Sequence, residues 1–171
     1  PADVRRYLKE FLWDPRVVEV PRPIWWFVLN LVILNTRPKR SAAAYKKIWT
    51  EEGSPLLTIA KHQAVLLQQA LDKQYADRFK VVLAMRYGNP SIKDGLEKLR
   101  QAGARQVLVF PLYPQYSAST VASTFDAVTA ELQHWRWIPE LRFINHYHDD
   151  ERYIEALAQS VRDFWREHGK P

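Results

Sequence analysis

Apolar positions fall at helical spacing through the first part of the chain and in short blocks bounded by turn residues through the second. Asp3 to Phe11 reads as one helix, Ser41 to Trp49 as another, and Leu56 to about Tyr75 as a third that starts just after Ser54-Pro55. Between the first two lies Trp13 to Thr36, rich in tryptophan, proline and aliphatic residues but without a clean period. Its uncharged stretch, Ile24 to Leu34, is far shorter than the roughly 20 residues that a membrane-spanning helix needs.

From Phe79 onward the pattern alternates. Phe79 to Met85 is an apolar run broken by Tyr87-Gly88-Asn89-Pro90. Ser91 is placed to cap a helix that reaches Ala102 and stops at Gly103. Gln106 to Phe110 reads as a buried strand, followed by the loop Pro111 to Tyr116. Ser119 or Thr120 can cap the next helix, whose apolar stripe is Val121, Phe125, Val128 and Leu132. A third strand is expected at Leu141 to Ile144. Asp149 or Asp150 then opens a helix with Tyr153, Ile154, Leu157, Val161 and Phe164 facing inward, ended by Gly169.

This alternation predicts an α/β fold, a three-layer parallel sheet flanked by helices, with at least three strands near Val81–Met85, Gln106–Phe110 and Arg142–Ile144. One domain is expected over residues 1–171, a largely helical segment over 1–76 and strand–helix units over 77–171. No strand precedes the first helix, and only a stop signal follows the last, so both ends read as cut.

Composition narrows the function classes. Of the 171 residues, 47% are apolar and 26% charged, the profile of a globular protein. The absence of cysteine excludes a disulfide scaffold, a thiolate zinc site and a cysteine-held iron–sulfur cluster in these residues, and fits a reducing, cytoplasmic compartment. The formal net charge is +6, but the basic residues form no long block, so nucleic acid is not the expected partner. Five glycines and no Gly-x-Gly-x-x-Gly or P-loop argue against a nucleotide-binding flavodoxin-like domain.

Ligands of open α/β sheets sit beyond the carboxyl ends of the strands. There the sequence offers Arg86 to Ser91 and the Pro111 to Thr120 loop, with Tyr113, Gln115, Tyr116, Ser117, Ser119 and Thr120 in a short span. Aromatic faces beside hydroxyls suit a flat, partly polar ligand, although a capped, well-packed loop has the same composition. Arg37-Pro38-Lys39-Arg40 is a basic helix start, unfavourable to the helix dipole, in which Arg37 could grip a carboxylate. Trp25, Trp26 and Phe27, near Arg16, Arg22 and Arg37, read equally well as an interfacial patch or as core. His146-Tyr147-His148 puts two imidazoles on one side of an extended segment, as metal sites do. A polar strand end followed by aspartate caps is the cheaper explanation, so no metal site is assigned.

Several stretches resemble the ferrochelatases, in that family's order and spacing. They are Val4 to Leu12 with Asp14-Pro15-Arg16-Val17-Val18, Arg37 to Arg40, Gly53-Ser54-Pro55-Leu56, Met85 to Ser91, and Pro111 to Thr120. The resemblance covers essentially the whole chain. It implies one lobe, the N-terminal one, of a two-lobed chelatase-like fold that closes on a porphyrin, and insertion of ferrous iron into protoporphyrin IX to make haem. It further implies that Arg37, Tyr45 and Ser54 meet the porphyrin and its propionate, and that Tyr113, Ser117, Ser119 and Thr120 wall the pocket. The Trp13 to Leu34 segment, with Trp25, Trp26 and Phe27, would form a membrane-facing lip, making the protein peripheral to the inner face of the membrane.

The resemblance also sets departures. The family's opening strand is missing, and its catalytic histidine and acidic partner fall beyond Pro171, so no catalytic residue is assigned here and the 171 residues alone are expected to be inactive. His146 and His148 match none of the family's metal-handling residues. Ala118 stands where some relatives have a cluster-ligating cysteine, so no iron–sulfur cluster and no resident cofactor are expected. A coproporphyrin or other tetrapyrrole chelatase, and a non-catalytic tetrapyrrole-binding or membrane-surface domain, remain as alternatives.

Overall fold

A computed structural model describes residues 2–170 of the chain. Helix α1 (Ala2–Trp13) buries Leu8 and Leu12, four residues apart and so on one face. After a turn at Asp14–Val17, α2 (Arg22–Phe27) runs through a π-helical turn, Val28–Ile33, straight into α3 (Leu34–Lys46). The segment Trp13–Thr36 is therefore largely helical, and Arg37-Pro38-Lys39-Arg40 lies inside a continuous helix rather than at its start. Periodicity missed this because a proline inside a helix and a π-turn both disrupt the 3.6-residue repeat. Side chains tie the irregular stretch instead: Asn30 Nδ2 donates to the Trp26 carbonyl (2.8 Å), Asn35 Nδ2 to that of Leu31 (2.9 Å) and Thr36 Oγ1 to that of Val32 (2.9 Å). Leu8, Leu12, Leu29 and Leu34 form the first core, with Tyr7, Phe11, Val18 and Trp25 packed around it.

Helix α4 (Pro55–Tyr75) ends at Ala76 in the left-handed conformation, and α5 (Ile92–Gln101) opens on a reciprocal cap between Ser91 and Asp94. Gly103, at φ +74°, stops the latter, as the sequence predicts. Strands β1 (Gln106–Val109) and β2 (Glu140–Phe143) pair in parallel, with Val107 opposite Leu141. The crossover between them holds a second π-helical turn, Ala118–Ala122, and α6 (Ser123–Leu132). Leu96, Val107, Val128 and Leu132 make the second core, between the sheet and helices α5 and α6. The last helix, α7 (Glu151–His168), is capped by Asp150 and ends at Gly169.

The fold is α/β as the alternation predicts, but three expectations change. Val81–Met85 is extended yet joins no ladder beyond a single bridge from Met85 to Ser91. The Val81 amide donates to Gln68 Oε1 (2.7 Å), and Gln68 Nε2 returns a bond to the Phe79 carbonyl (2.9 Å), so a glutamine of α4 stands where a neighbouring strand would be. Gly95 lets α5 press on this segment: a Cβ there would meet Ala84 Cβ at 3.1 Å. Second, the apolar stripe of α7 is real but not inward: Ile154, Leu157, Val161 and Phe164 are exposed, and only Tyr153 is half-buried. An amphipathic pattern specifies a face to be covered, not what covers it. Third, the helical turn after the tyrosine loop begins at Ala118, so neither Ser119 nor Thr120 is a cap.

The two cores are fastened together by one buried carboxylate. Asp14 Oδ2 accepts from Ser123 Oγ (2.5 Å), Tyr87 Oη (2.9 Å) and the guanidinium of Arg86, while Oδ1 accepts the Arg16 amide (2.7 Å). Arg86 Nε also donates to Ser123 Oγ (2.6 Å) and to the Ser123 carbonyl (2.9 Å). Burial alone would raise the Asp14 carboxyl, but the hydrogen bonds from Ser123, the Arg16 amide and Tyr87, together with Arg86, outweigh it and hold it below its ordinary range. Burial pushes the Tyr87 phenol up to about 12, so it stays a donor. Nearby, Arg16 grips Asp126 of α6 through Nε (2.7 Å) and Nη2 (3.1 Å), at the surface, where such pairs add little.

Asp14→Ala should lower stability by about 3 kcal/mol, because it strands a half-buried guanidinium and two hydroxyls, and urea denaturation of the full-length protein measures this. Since the folded-state value is depressed, the Asp14 contribution is complete above the ordinary carboxylate value of 3.8 and is lost as pH falls below it. The variant's stability should therefore depend less steeply on pH in that acidic window than that of the unaltered protein.

Candidate functional site

Beyond the carboxyl end of β1 the chain enters the loop Phe110–Ser117, where sheet folds of this kind place their ligands. Pro111 is buried and anchors the loop, while Tyr113 is 41% exposed. The Pro114 carbonyl accepts the amides of Tyr147 (2.9 Å) and His148 (3.1 Å), so the loop is tied to the segment that follows β2. Downstream, the Ser117 carbonyl accepts from the amides of Thr120 and Ala122, both at 3.3 Å, the second being the long reach of a π-turn. This turn collects three hydroxyls: Ser117 Oγ and Ser119 Oγ are 3.0 Å apart, and Thr120 Oγ1 donates to the Ser117 carbonyl (3.3 Å). All three residues are half-buried.

Tyr113 does not stand alone. The Tyr7 phenol of α1 is raised above its ordinary value by burial first, then by the adjacent Tyr45 hydroxyl of α3 and by Tyr113. Two residues singled out in the sequence, Tyr45 and Tyr113, thus act electrostatically on a third that was not, although no hydrogen bond or ring contact joins either to it among the described residues. Tyr7 lies parallel to Phe11 (ring centroids 6.0 Å apart) and meets the edge of Tyr87 at 6.2 Å, which holds it against the Asp14 network. Tyr45, 39% exposed, also lines an open groove of about 300 Å³ with Ser41, Ala44 and Ile48. A second open groove, of about 410 Å³, runs beside it along α1, lined by Lys9, Glu10, Trp13, Arg86 and Tyr87.

The remaining candidates are placed as follows. Arg37 is exposed on α3 and forms no ion pair or side-chain hydrogen bond among the described residues. Ser54 is the half-buried residue before α4, and its hydroxyl makes no capping bond. No hydrogen bond or ion pair ties either to the tyrosine group. Of the aromatic patch, Trp26 and Phe27 are exposed, their rings edge to face at 5.1 Å, alongside exposed Ile24, Leu31 and Val32. Trp25 departs from the expected lip: it packs on the first core and its Nε1 donates to the Leu12 carbonyl (2.7 Å), because neighbours on a helix point 100° apart. No helix among the described residues is long and apolar enough to cross a membrane.

Tyr7, Asp14 and Ser123 escaped the reading of the sequence as site or scaffold residues, whereas Tyr87 lay in the Arg86 to Ser91 loop that the sequence offered. Tyr7 carried a faint signal, sitting within the stripe Val4, Leu8, Phe11 that faces the core. Asp14 and Ser123 carried none, since 109 residues separate them.

The chain is 59% identical over 170 residues to a protein of Thioalkalivibrio sulfidiphilus named ferrochelatase, a match covering 99% of this chain and 46% of that protein. A ferrochelatase of Idiomarina loihiensis is 55% identical over 167 residues, covering 98% and 46%, and one of Methylococcus capsulatus is 55% identical over 173 residues, covering 100% and 51%. The chain therefore spans about half the length of the curated relatives it matches. With the ferrochelatase family model matching residues 1–171 as well, the chain belongs to the ferrochelatase family.

Proposed function

We propose that the chain is the porphyrin-binding N-terminal lobe of a ferrochelatase that inserts ferrous iron into protoporphyrin IX, the last step of haem synthesis. The observation that carries this reading is the loop beyond the carboxyl end of β1, where exposed Tyr113 precedes a turn that gathers the hydroxyls of Ser117, Ser119 and Thr120. A flat aromatic ligand needs rings to stack on and hydroxyls at its edge, and Tyr113 with Ser117, Ser119 and Thr120 supplies both, while Tyr45 lines an open groove on α3. Arg37, unpaired among the described residues, is available to a propionate, and Ser54 has a hydroxyl free of any capping role.

Porphyrin and ferrous iron are substrates in this reading. Neither a resident cofactor nor an iron–sulfur cluster is invoked, since the chain offers no thiolate. In this reading the proton acceptor is a histidine just beyond Pro171, and its acidic partner lies further on, in the second lobe. Exposed Trp26 and Phe27 form the membrane-facing part of the lip, with Trp25 holding it in place from below, and the protein works in the cytoplasm against the inner face of the membrane.

Arg37→Ala should weaken porphyrin binding to the full-length protein about tenfold or more, the size of a lost charge-assisted hydrogen bond of about 1.5–3 kcal/mol. A titration followed by porphyrin fluorescence checks this, and an unchanged dissociation constant removes Arg37 from the site. Replacing Trp26 and Phe27 by serine should reduce sedimentation with anionic liposomes while leaving the melting temperature near that of the unaltered protein. The 171 residues alone, assayed anaerobically with ferrous iron and porphyrin beside the complete protein, should form no haem, because metallation needs a proton acceptor and ligands that strip water from the ion.

A further inference from the structure

Where β2 runs out, the chain places two imidazoles and a carboxylate together that the porphyrin reading does not use. One ligand atom each from His146, His148 and Asp149 lies within 4.8 Å of the others. His146 Nδ1 stands 3.6 Å from Asp149 Oδ1, and the two imidazole centroids are 5.4 Å apart. From these we infer that His146, His148 and Asp149 form an exchangeable site for a divalent first-row metal cation on the rim of the crevice.

The backbone under the three side chains is held. Tyr147, between the histidines, packs edge to face with Phe110 (ring centroids 4.9 Å apart) and Tyr153 (5.2 Å). Its amide and that of His148 both donate to the Pro114 carbonyl. The tyrosine is the half-buried anchor, and the histidines on either side of it are exposed. The capping work expected of this stretch is done by its neighbour: Asp150 accepts the Arg152 amide (3.0 Å) and the Tyr153 amide (3.4 Å), and pairs with the Arg152 guanidinium (2.9 Å). Asp149 is thereby left without a structural task, with His146 its one charged-group neighbour among the described residues.

The chemistry selects the ligand class. Two imidazole nitrogens and one carboxylate oxygen suit zinc, cobalt, nickel or ferrous ions rather than calcium or magnesium, which take oxygen donors. Donors on one such ion lie about 3 Å apart, given bonds of about 2.0–2.2 Å, and exposed side chains close the remaining distance by small rotations. Three protein ligands leave the other positions to water. With no shell of buried partners around it, the site holds its ion loosely and exchanges it. The proposal does not depend on porphyrin binding, and its test uses none.

Isothermal titration of the metal-free full-length protein with zinc is the measurement. The H146Q/H148Q variant should lose one zinc equivalent per chain, D149N should bind that equivalent at least tenfold more weakly, and H134Q, altered at a separate exposed position, should bind as the unaltered protein does. Identical isotherms for the unaltered protein and H146Q/H148Q overturn the proposal. Anomalous scattering from crystals of the unaltered protein soaked in zinc gives a second measurement free of any folding defect. A peak between the two imidazoles supports the site, and well-ordered His146 and His148 without one refute it.

Discussion

The Asp14 carboxylate is the constraint on which the rest of the arrangement depends. It lies just after α1, which belongs to the first core, and binds Ser123 at the start of α6, which belongs to the second. A carboxylate buried to this degree is tolerated only if its lone pairs are filled, and four donors fill them. The network therefore has little freedom in position. Any slide of α1 against α6 would expose an unmatched charge, so the first core is registered on the sheet by electrostatics rather than by shared hydrophobic packing.

That registration is what composes the crevice. Tyr7 and Phe11 of α1 both meet Tyr87 edge to face, and Tyr87 itself donates to Asp14. The placing of these rings thus rests on one carboxylate more than 70 residues away in sequence from most of its partners. Ser117, Ser119 and Thr120 sit in a π-turn whose widened spacing turns hydroxyls towards one another.

Large apolar surfaces remain uncovered on α4 and α7, among them Leu56, Ile59 and Leu66 on the first and Ile154, Leu157 and Phe164 on the second. Contiguous exposed apolar area of this kind marks surfaces that meet other protein or lipid. A chain matching about half the length of its relatives is expected to carry such faces, and those of α4 and α7 are distinct from the Trp26–Phe27 patch.

Local physics was legible in the residues themselves. Helices α4, α5 and α7 and both paired strands follow from period, capping and turn chemistry, because each depends on neighbours within a few positions: Ser91 with Asp94, Asp150 with Tyr153, Gly103 at positive φ. The motifs of the tyrosine loop and the Arg86–Ser91 turn identified the family for the same reason, being short and contiguous. Tertiary structure alone decided the rest. Whether Val81–Met85 becomes a strand depends on a partner for its amides, and Gln68 took that place. Whether Trp25 belongs to core or surface depends on a carbonyl 13 residues upstream. The apolar stripe of α7 states only that something should cover it. Asp14, Tyr87 and Ser123 come together through pairings of 36 to 109 residues, a separation at which no periodicity or local propensity carries information.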